Sequence, residues 1–281
     1  MECLGCVEAR ARMAQAGRLC HQKRKAAKGK AMSITAIIPA RLSSSRLPGK
    51  VLLARTGKPL IQHVYENALR AKRLAKVVIA ADDASVLAAC KAFGAPCVLT
   101  RPTHPNGTSR LAEASTLLGL GDDAIIANVQ GDEPELEPHA IDAACDALLA
   151  QSDCAIATVA TPFVQGEDAT RPEFVKVALD QRSRALLFSR SLLPYPREAE
   201  LAAKLAAPLR HVGLYVYRAG FLRTYAALAP TPLEQAESLE QLRALEHGYR
   251  IAVAVCNVQS GGIDTPAQYE AFVQRQSRRL A

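Results

Sequence analysis

The sequence lacks long apolar stretches. Apolar residues make up 49% of its 281 residues, yet the longest apolar runs are far shorter than the roughly 18 residues that a membrane-spanning helix needs. No apolar segment follows the basic residues at the start of the chain, so we expect no secretory signal. With 22% charged residues and a mean hydropathy of +0.01, the chain has the composition of a soluble protein of one or two domains.

The cysteines do not form the two well-spaced pairs expected of a zinc site. Cys3 and Cys6 form one CxxC pair, with Cys20 and His21 nearby, but the sequence between them is rich in Ala and Arg and has no core. Zinc binding there is an open alternative. The other five of the eight cysteines stand singly in apolar stretches, as small core residues do. Because nothing requires a disulfide, we expect a cytoplasmic protein.

The chain has a formal net charge of +8, but the excess lies at its beginning. Residues 1–31 carry eight Lys and Arg side chains against two Glu, whereas the other 250 residues carry 27 basic and 25 acidic side chains. Such a segment is suited to contact nucleic acid or anionic lipid, or is an extension upstream of a natural start at Met32. We expect a disordered extension over 1–31 and a single domain over 32–281.

Apolar runs alternate with helix-like segments along the chain. The patterns predict strands at 34–39, 76–81, 96–100, 124–129, 154–160, 211–218 and 251–256, a hairpin over 174–180 and 184–190, and helices at 59–73, 84–93, 108–119, 138–150 and 233–247. The Pro-containing stretch 191–209 is predicted to be a mobile excursion. The alternation indicates an α/β fold whose mostly parallel sheet has helices on both faces, with an antiparallel insertion around 174–218.

The turn after the first predicted strand is rich in cations and hydroxyls. PARLSSSRLPGK, residues 39–50, contains Arg41, Arg46, Lys50 and a serine triplet. Its one glycine, Gly49, cannot supply either GxxxxGK[ST] or GxGxxG, the common phosphate-binding loops. A phosphate bound here would be neutralised by side chains instead. A solvated basic loop is the alternative interpretation.

A second polar cluster follows the predicted strand at 124–129. IIANVQGDEPELEP, residues 125–138, runs from apolar residues into Gln130, Asp132 and three glutamates. Carboxylates at the end of a buried strand are costly unless a cation lies beside them, and Mg²⁺ prefers such ligands. Asp264, in GGIDTPAQYE (261–270), precedes a predicted helix start. It is either a helix N-cap or a second carboxylate for the same metal.

Five segments together resemble a known family. PARLSSSRLPGK, NVQGDEP, RHVGLYVYR, LEQAESLEQLRALEHG and GIDTP are similar, in order and spacing, to the 3-deoxy-manno-octulosonate cytidylyltransferases, or CMP-Kdo synthetases. The resemblance covers 33–275. It implies a Rossmann-like nucleotidyltransferase sheet, a cytoplasmic homodimer, and a sugar-binding and dimerisation insertion around 174–218. The implied reaction transfers CMP from CTP to the anomeric hydroxyl of Kdo, with Mg²⁺, giving CMP-Kdo and pyrophosphate for lipopolysaccharide biosynthesis.

The resemblance also implies residue roles. The implied nucleotide contacts are Arg41, Ser44, Arg46, Lys50, Asn106 and Gly107, and the implied sugar contacts are Gln130, Arg190, His211, Tyr215, Glu240 and Gln241. Asp132 and Asp264 are the implied metal ligands, and Arg41, Lys50, Asp132 and Asp264 the implied catalytic set. One departure concerns base recognition: Ser109 stands where the family usually has an acidic residue before Arg110. Arg110 and His104 are further candidate contacts.

Two alternatives stay open at this level. A relative acting on 8-amino-Kdo or a sialic acid would need only one or two changes in the pocket. A non-enzymatic nucleotide- or nucleic-acid-binding protein would suit the basic extension, but it leaves Asp132, Glu133 and Asp264 unexplained, because carboxylates repel phosphate unless a metal intervenes. We therefore expect an enzyme with CTP and Kdo as substrates, and neither nucleic acid nor a membrane as partner.

Overall fold

A computed structural model of the chain describes residues 33–104, 106–198, 200, 207–259 and 261–280. The chain divides into residues 1–32 and a compact unit of residues 33–281. The predicted disordered extension over 1–31 and the candidate zinc ligands Cys3, Cys6, Cys20 and His21 lie outside the described residues. So do residues 199 and 201–206 of the predicted mobile excursion over 191–209.

The sheet begins as the predicted parallel arrangement. β1 (Ile34–Ala40) pairs in parallel with β2 (Leu74–Ala81) on one side and β4 (Ile125–Asn128) on the other, and β3 (Cys97–Leu99) pairs with β2. The core strand β1 is buried along its whole length except for a half-buried Pro39. Parallel strands covered on both faces are expected to be such continuous apolar runs.

An antiparallel strand is inserted into the middle of the sheet. β8 (Leu209–Arg218) lies between β4 and β5 (Ile156–Pro162) and runs antiparallel to both, while β9 (Ile251–Val255) pairs in parallel with β5. The predicted hairpin forms β6 (Lys176–Leu179) and β7 (Ala185–Ser189), and β6 pairs with β8. The strand order is β3-β2-β1-β4-β8-β5-β9. The prediction of a mostly parallel α/β sheet with an antiparallel insertion is confirmed.

Helices cover both faces of the sheet. They are α1 (Leu60–Ala68), α2 (Ala84–Ala92), α3 (Gly107–Leu117), α4 (Pro138–Ala150), α5 (Ala219–Ala227), α6 (Pro232–Glu237), α7 (Gln241–Glu246) and α8 (Pro266–Leu280). Ile38 belongs to the same buried cluster as Val64 of α1 and Cys145 of α4, whereas its neighbour Ile37 belongs to the cluster that contains Leu111 of α3 and Leu222 of α5. The side chains of successive strand residues thus point into two cores, one on each face of the sheet.

The prediction of one helix over 233–247 is wrong. The segment forms α6 and α7, separated at Ser238, whose φ of 51° is left-handed. α6 begins with a capping box between Thr231 and Glu234. Leu239 and Leu242 are both buried, so the apolar periodicity runs across the break and hides it. The break places Glu240 and Gln241 at the start of α7.

Among the described residues, no helix combines the length and apolar character required to cross a membrane.

Candidate active site

The carboxyl ends of β1 and β4 open into one cavity of about 580 Å³, within the usual range for small-molecule sites. The segments that follow these strands approach closely: a Cβ on Gly131 would lie 2.5 Å from the carbonyl oxygen of Pro39. Only glycine fits at that position. The contact places the loop after β1 and the acidic turn after β4 on the same edge of the sheet, as the parallel pairing predicts.

The loop after β1 is closed at its base and presents cations to the cavity. The amide of Gly49 donates to the carbonyl of Leu42 over 3.1 Å, and Gly49 has a left-handed φ of 67°. A short 3₁₀ helix, Lys50–Leu52, follows. Cavity-lining residues of the loop are Arg41, Ser43, Ser44, Ser45, Arg46 and Lys50.

Lys50 joins the two predicted metal ligands. Its Nζ lies 2.6 Å from Asp132 Oδ2 and 2.9 Å from Asp264 Oδ1, and Arg46 contacts the other oxygen of Asp264 over 2.9 Å. Burial lowers the pKa of Lys50, but the hydrogen bonds and charges of the two carboxylates outweigh it, so its pKa is raised. Together with Arg41, these residues form the ionic half of the cavity.

Asp264 is held in place by backbone contacts, and it is not the helix cap. The amide of Ile263 donates to the carbonyl of Asp132 over 2.9 Å, which joins the two acidic segments. The Oγ1 of Thr265 accepts from the amide of Gln268 over 3.3 Å, so Thr265 caps α8. The carboxylate of Asp264 is therefore free of capping and points at the loop cations.

Glu133 lies beside these carboxylates without lining the cavity. Burial, and then the charges of Asp132 and Asp264, raise its pKa to about 7. Its Oε2 is buried and has no hydrogen-bond partner among the described residues. A carboxyl group in such surroundings favours its neutral form, which limits the negative charge of the site.

The opposite wall contains mostly neutral polar groups. Asn128 of β4 stands in register with Tyr215 of β8, and the rings of Tyr215 and Tyr217 stack with centroids 5.9 Å apart. Burial raises the pKa of both tyrosines, so their hydroxyls stay protonated. With Tyr225 and Gln241, these side chains form the neutral half of the cavity.

Glu240 is the exception on that wall. Its carboxylate accepts from the hydroxyl of Thr108 over 3.1 Å, and its backbone carbonyl accepts from the hydroxyl of Tyr225 over 2.7 Å. The side chain is open to the cavity, but the protein around it displaces water and raises its pKa, against the effect of the Thr108 hydrogen bond. It can therefore accept hydrogen bonds from a ligand at the cavity wall.

The structure brings most of the predicted site residues into one cavity. Those that line it are Arg41, Ser44, Arg46, Lys50, Gly107, Gln130, Asp132, Tyr215, Glu240, Gln241 and Asp264. Three predicted contacts are outside its lining. Asn106 caps α3 by accepting from the amide of Ser109 over 2.9 Å. The guanidinium of Arg190 donates to the carbonyls of Pro172 and Glu237.

His211 also lies outside the lining. Its Nε2 is 2.9 Å from the hydroxyl of Thr158, and its ring lies 5.4 Å from that of Tyr215, centroid to centroid. Burial lowers its pKa to about 3, so the ring is neutral at pH 7. The ring of His211 therefore packs beside that of Tyr215 without lining the cavity.

Sequence reasoning missed several lining residues. Asn128, Tyr217 and Tyr225 line the cavity but were not predicted to contact a ligand. Tyr217 could have been found, because it follows Tyr215 by two residues and so shares its face of β8. Tyr225 had no such signal, since it comes from α5. Ser109, His104 and Arg110 do not line the cavity.

The chain is similar to known cytidylyltransferases. The cytidylyltransferase family model matches residues 35–251. A 3-deoxy-manno-octulosonate cytidylyltransferase of Syntrophobacter fumaroxidans is 48% identical over 86% of this chain and 96% of its own length, and one of Halorhodospira halophila is 46% identical with the same shares. A solved structure of CMP:2-keto-3-deoxy-manno-octonic acid synthetase complexed with CTP has 41% identity and a TM-score of 0.81, covering 88% of this chain and 99% of that one.

Proposed function

The chain belongs to the cytidylyltransferase family, and from this membership we propose that it transfers CMP from CTP to the anomeric hydroxyl of 3-deoxy-D-manno-octulosonate (Kdo), giving CMP-Kdo and pyrophosphate. Relatives named for this reaction match it at 46–48% identity over most of their length, and a similar solved structure contains CTP. The product serves lipopolysaccharide biosynthesis, since that is where the activated sugar acid is used.

One observation carries the proposal: a single cavity joins an ionic half to a neutral half. Lys50, Arg41 and Arg46 provide positive charge for a triphosphate. Tyr215, Gln241 and Glu240 provide donors and acceptors for sugar hydroxyls. A nucleotide held by its phosphates in the ionic half would have its α-phosphorus at the boundary, facing a sugar held in the neutral half.

The chemistry requires shielding and alignment, with no covalent intermediate on the protein. The anomeric hydroxyl releases its proton to solvent as its oxygen forms a bond to the α-phosphorus of CTP, while the bond from that phosphorus to the oxygen bridging to the β-phosphate breaks and pyrophosphate leaves. Both reactants are anions. The cations of the ionic half reduce their repulsion, and the fixed walls hold the attacking oxygen near the phosphorus.

We propose Mg²⁺ as the cofactor, held by Asp132 and Asp264. The described residues contain no group of three or more acidic, His or Cys side chains placed for a metal. Mg²⁺ is commonly held by one or two carboxylates, with phosphate and water oxygens completing its shell. The ammonium of Lys50, within 2.9 Å of both carboxylates, marks a position that favours positive charge. When bound, the metal would neutralise phosphate charge.

The proposal extends to assembly and location. We propose a cytoplasmic homodimer. The three most exposed large apolar side chains among the described residues are Val164, Leu186 and Tyr195, at 60%, 63% and 83% exposure, and two of them lie in the 174–218 region. Large exposed apolar side chains of this kind are candidates for an interaction surface. Light scattering of the purified chain measures the mass directly.

The direct test is pyrophosphate release from CTP and Mg²⁺ with a panel of sugar acids. Kdo, 8-amino-Kdo and a sialic acid are compared, in the full chain and in a chain that starts at Met32. We expect release with Kdo at the highest kcat/KM, and equal turnover in the two chains. Release with none of the three acids would reject the proposed function, and a preference for another acid would correct the substrate.

A further inference from the structure

Arg110 is a buried cation that does not line the cavity. It lies on the first turn of α3, two residues after the cavity-lining Thr108, and its side chain has 0% exposure. Its NH1 donates to the Thr100 hydroxyl over 2.7 Å, and its NH2 contacts Asp82 Oδ2 over 3.4 Å. Burying a guanidinium raises the free energy of the folded protein unless the group is paired. The contacts with Thr100 and Asp82 provide that pairing.

Asp82 connects that cation to the base of the loop after β1. Its carboxylate, at 7% exposure, follows β2, and its Oδ1 accepts from the amide of Leu42 over 2.9 Å. The carbonyl of Leu42 in turn accepts from Gly49. Leu42 is therefore the point at which the loop over 41–50 is closed, and Asp82 holds it there.

The arrangement is a buried chain of contacts between two walls of the cavity. Thr100 Oγ1 donates to the carbonyl of Ala81 over 2.8 Å and accepts from Arg110, which fixes the guanidinium against the end of β2. Arg110 then pairs with Asp82, and Asp82 holds Leu42. One wall is the first turn of α3, and the other is the loop with Arg41, Arg46 and Lys50.

We propose that Asp82 and Arg110 are positioning residues that fix the cationic loop over 41–50 relative to the first turn of α3. Neither residue lines the cavity, so both act through Leu42 and the loop. The effect on CTP rests on the proposed function, whereas the effect on the order of the loop does not. The sugar-facing neutral half is built mainly on β8, α5 and α7, and it meets the first turn of α3 through the Thr108–Glu240 hydrogen bond, which involves neither Asp82 nor the loop.

Two substitutions separate the contacts. Asp82→Ala removes the acceptor for Leu42 and leaves Arg110 buried and unpaired. Asp82→Asn keeps an oxygen for the Leu42 amide and removes only the charge opposite Arg110. Asp142→Ala is a matched control, because Asp142 accepts from the amides of Lys72 and Arg73 over 3.1 and 2.7 Å, outside the cavity lining.

The experiment uses the full chain and measures three quantities for each variant. They are hydrogen exchange of peptides covering 41–50, the Kd for CTP in the absence of sugar, and the melting temperature. For Asp82→Ala we expect faster exchange over 41–50 and a Kd for CTP raised about tenfold. The KM for Kdo should change less than about twofold, and Asp82→Asn should fall between wild type and Asp82→Ala. Asp142→Ala should lower stability alone.

The outcomes are distinct. If Asp82→Ala does not fold, Asp82→Asn carries the test with the same signs. Unchanged exchange over 41–50 in the folded variant, with a fall in melting temperature like that of Asp142→Ala, would overturn the positioning role. An equal rise in the KM values for CTP and Kdo would overturn it too. A wild-type chain that binds no CTP would reject the proposed function, and the exchange comparison would still decide the role of Asp82.

Discussion

The two halves of the cavity are built in different ways. In the ionic half, Lys50 contacts both Asp132 and Asp264, and Arg46 contacts Asp264, so these four charges offset one another. In the neutral half, the side chains that line the wall are amides and tyrosines, and the tyrosine hydroxyls remain protonated; Glu240 is the exception. The first half comes from turns after strands and the second mainly from β8 and the helices that follow it.

The difference indicates what each half can hold. Paired charges can rearrange around a multiply charged ligand, because a phosphate can replace a carboxylate as the partner of a cation. Neutral donors and acceptors at fixed positions select hydroxyl groups, because an unmatched buried polar group is costly. A ligand pair with phosphates at one end and sugar hydroxyls at the other fits this division.

Removing the charge of Lys50 should have the largest effect. Lys50→Met keeps most of the unbranched side chain but leaves Asp132 and Asp264 facing each other, and it removes a cation from the phosphates. We expect kcat/KM for CTP to fall by about a thousandfold. Lys58→Met is the matched control, since Lys58 pairs with Glu66 outside the cavity lining. A loss of tenfold or less for Lys50→Met would show that the ionic half does not hold the phosphates.

Shortening the side chain of Gln241 should weaken the binding of the sugar and leave the binding of CTP unchanged. Gln241 is 6% exposed, and its Nε2 has no hydrogen-bond partner within the described part of the chain, so a ligand hydroxyl is its natural acceptor. We expect Gln241→Ala to raise the KM for Kdo about tenfold and to leave the KM for CTP unchanged. Gln235→Ala, on the exposed face of α6, is the control. Equal effects on both substrates would remove the distinction between the halves.

The raised pKa of Glu133 predicts how the stability of the protein depends on pH. Its folded pKa of about 7 lies above the ordinary value of 4.5, so the folded state holds its proton more tightly. Wild-type stability should therefore fall as pH rises from 4.5 to 7, by up to about 3 kcal/mol. With EDTA present, Glu133→Gln should raise the melting temperature relative to wild type at pH 8, and not at pH 4.5.

The control for this measurement is Glu173→Gln, an exposed partner of Arg171. This substitution should not raise the melting temperature comparably at either pH, because the carboxylate of Glu173 is solvated. The account of Glu133 fails if its substitution gives the same change at both pH values.

Arg190→Lys should have the smallest effect on activity. The guanidinium satisfies two backbone carbonyls, and lysine cannot reach both. We expect a loss of about 1 kcal/mol, seen as a fall of about 2–4 °C in melting temperature, with the KM for Kdo within about twofold of wild type. A tenfold rise in that KM at unchanged melting temperature would instead support the sugar contact that the family resemblance implies.

The parts of the fold and site that the sequence predicted are those set by local pattern. Apolar runs identified the strands because buried parallel strands are continuously apolar. The motifs after β1 and β4 were found because charge at the end of a core strand is conspicuous. Asp132 and Asp264, separated by 132 positions, were predicted to meet at one edge of the sheet, and they do so through Lys50.

The parts that were missed depend on tertiary contacts. The break at Ser238 has no glycine or proline to mark it, and Leu239 and Leu242 keep their spacing across it. Tyr225 reaches the cavity from α5 because α5 follows β8 directly, which no local pattern reveals. Arg110 was a candidate contact for the substrate because of its position in the chain, but its side chain is buried and contacts Asp82.

Turnover of Asp264→Asn against Mg²⁺ concentration, with Asp132→Asn beside it, tests most directly whether the ionic half holds a metal between its carboxylates. Asn keeps the shape of the side chain but removes the charge that binds a hard cation. The account predicts a fall in kcat on the order of a thousandfold, partly rescued by high Mg²⁺ or by Mn²⁺, at a nearly unchanged melting temperature because Thr265 caps the helix. Normal turnover in Asp264→Asn would contradict it.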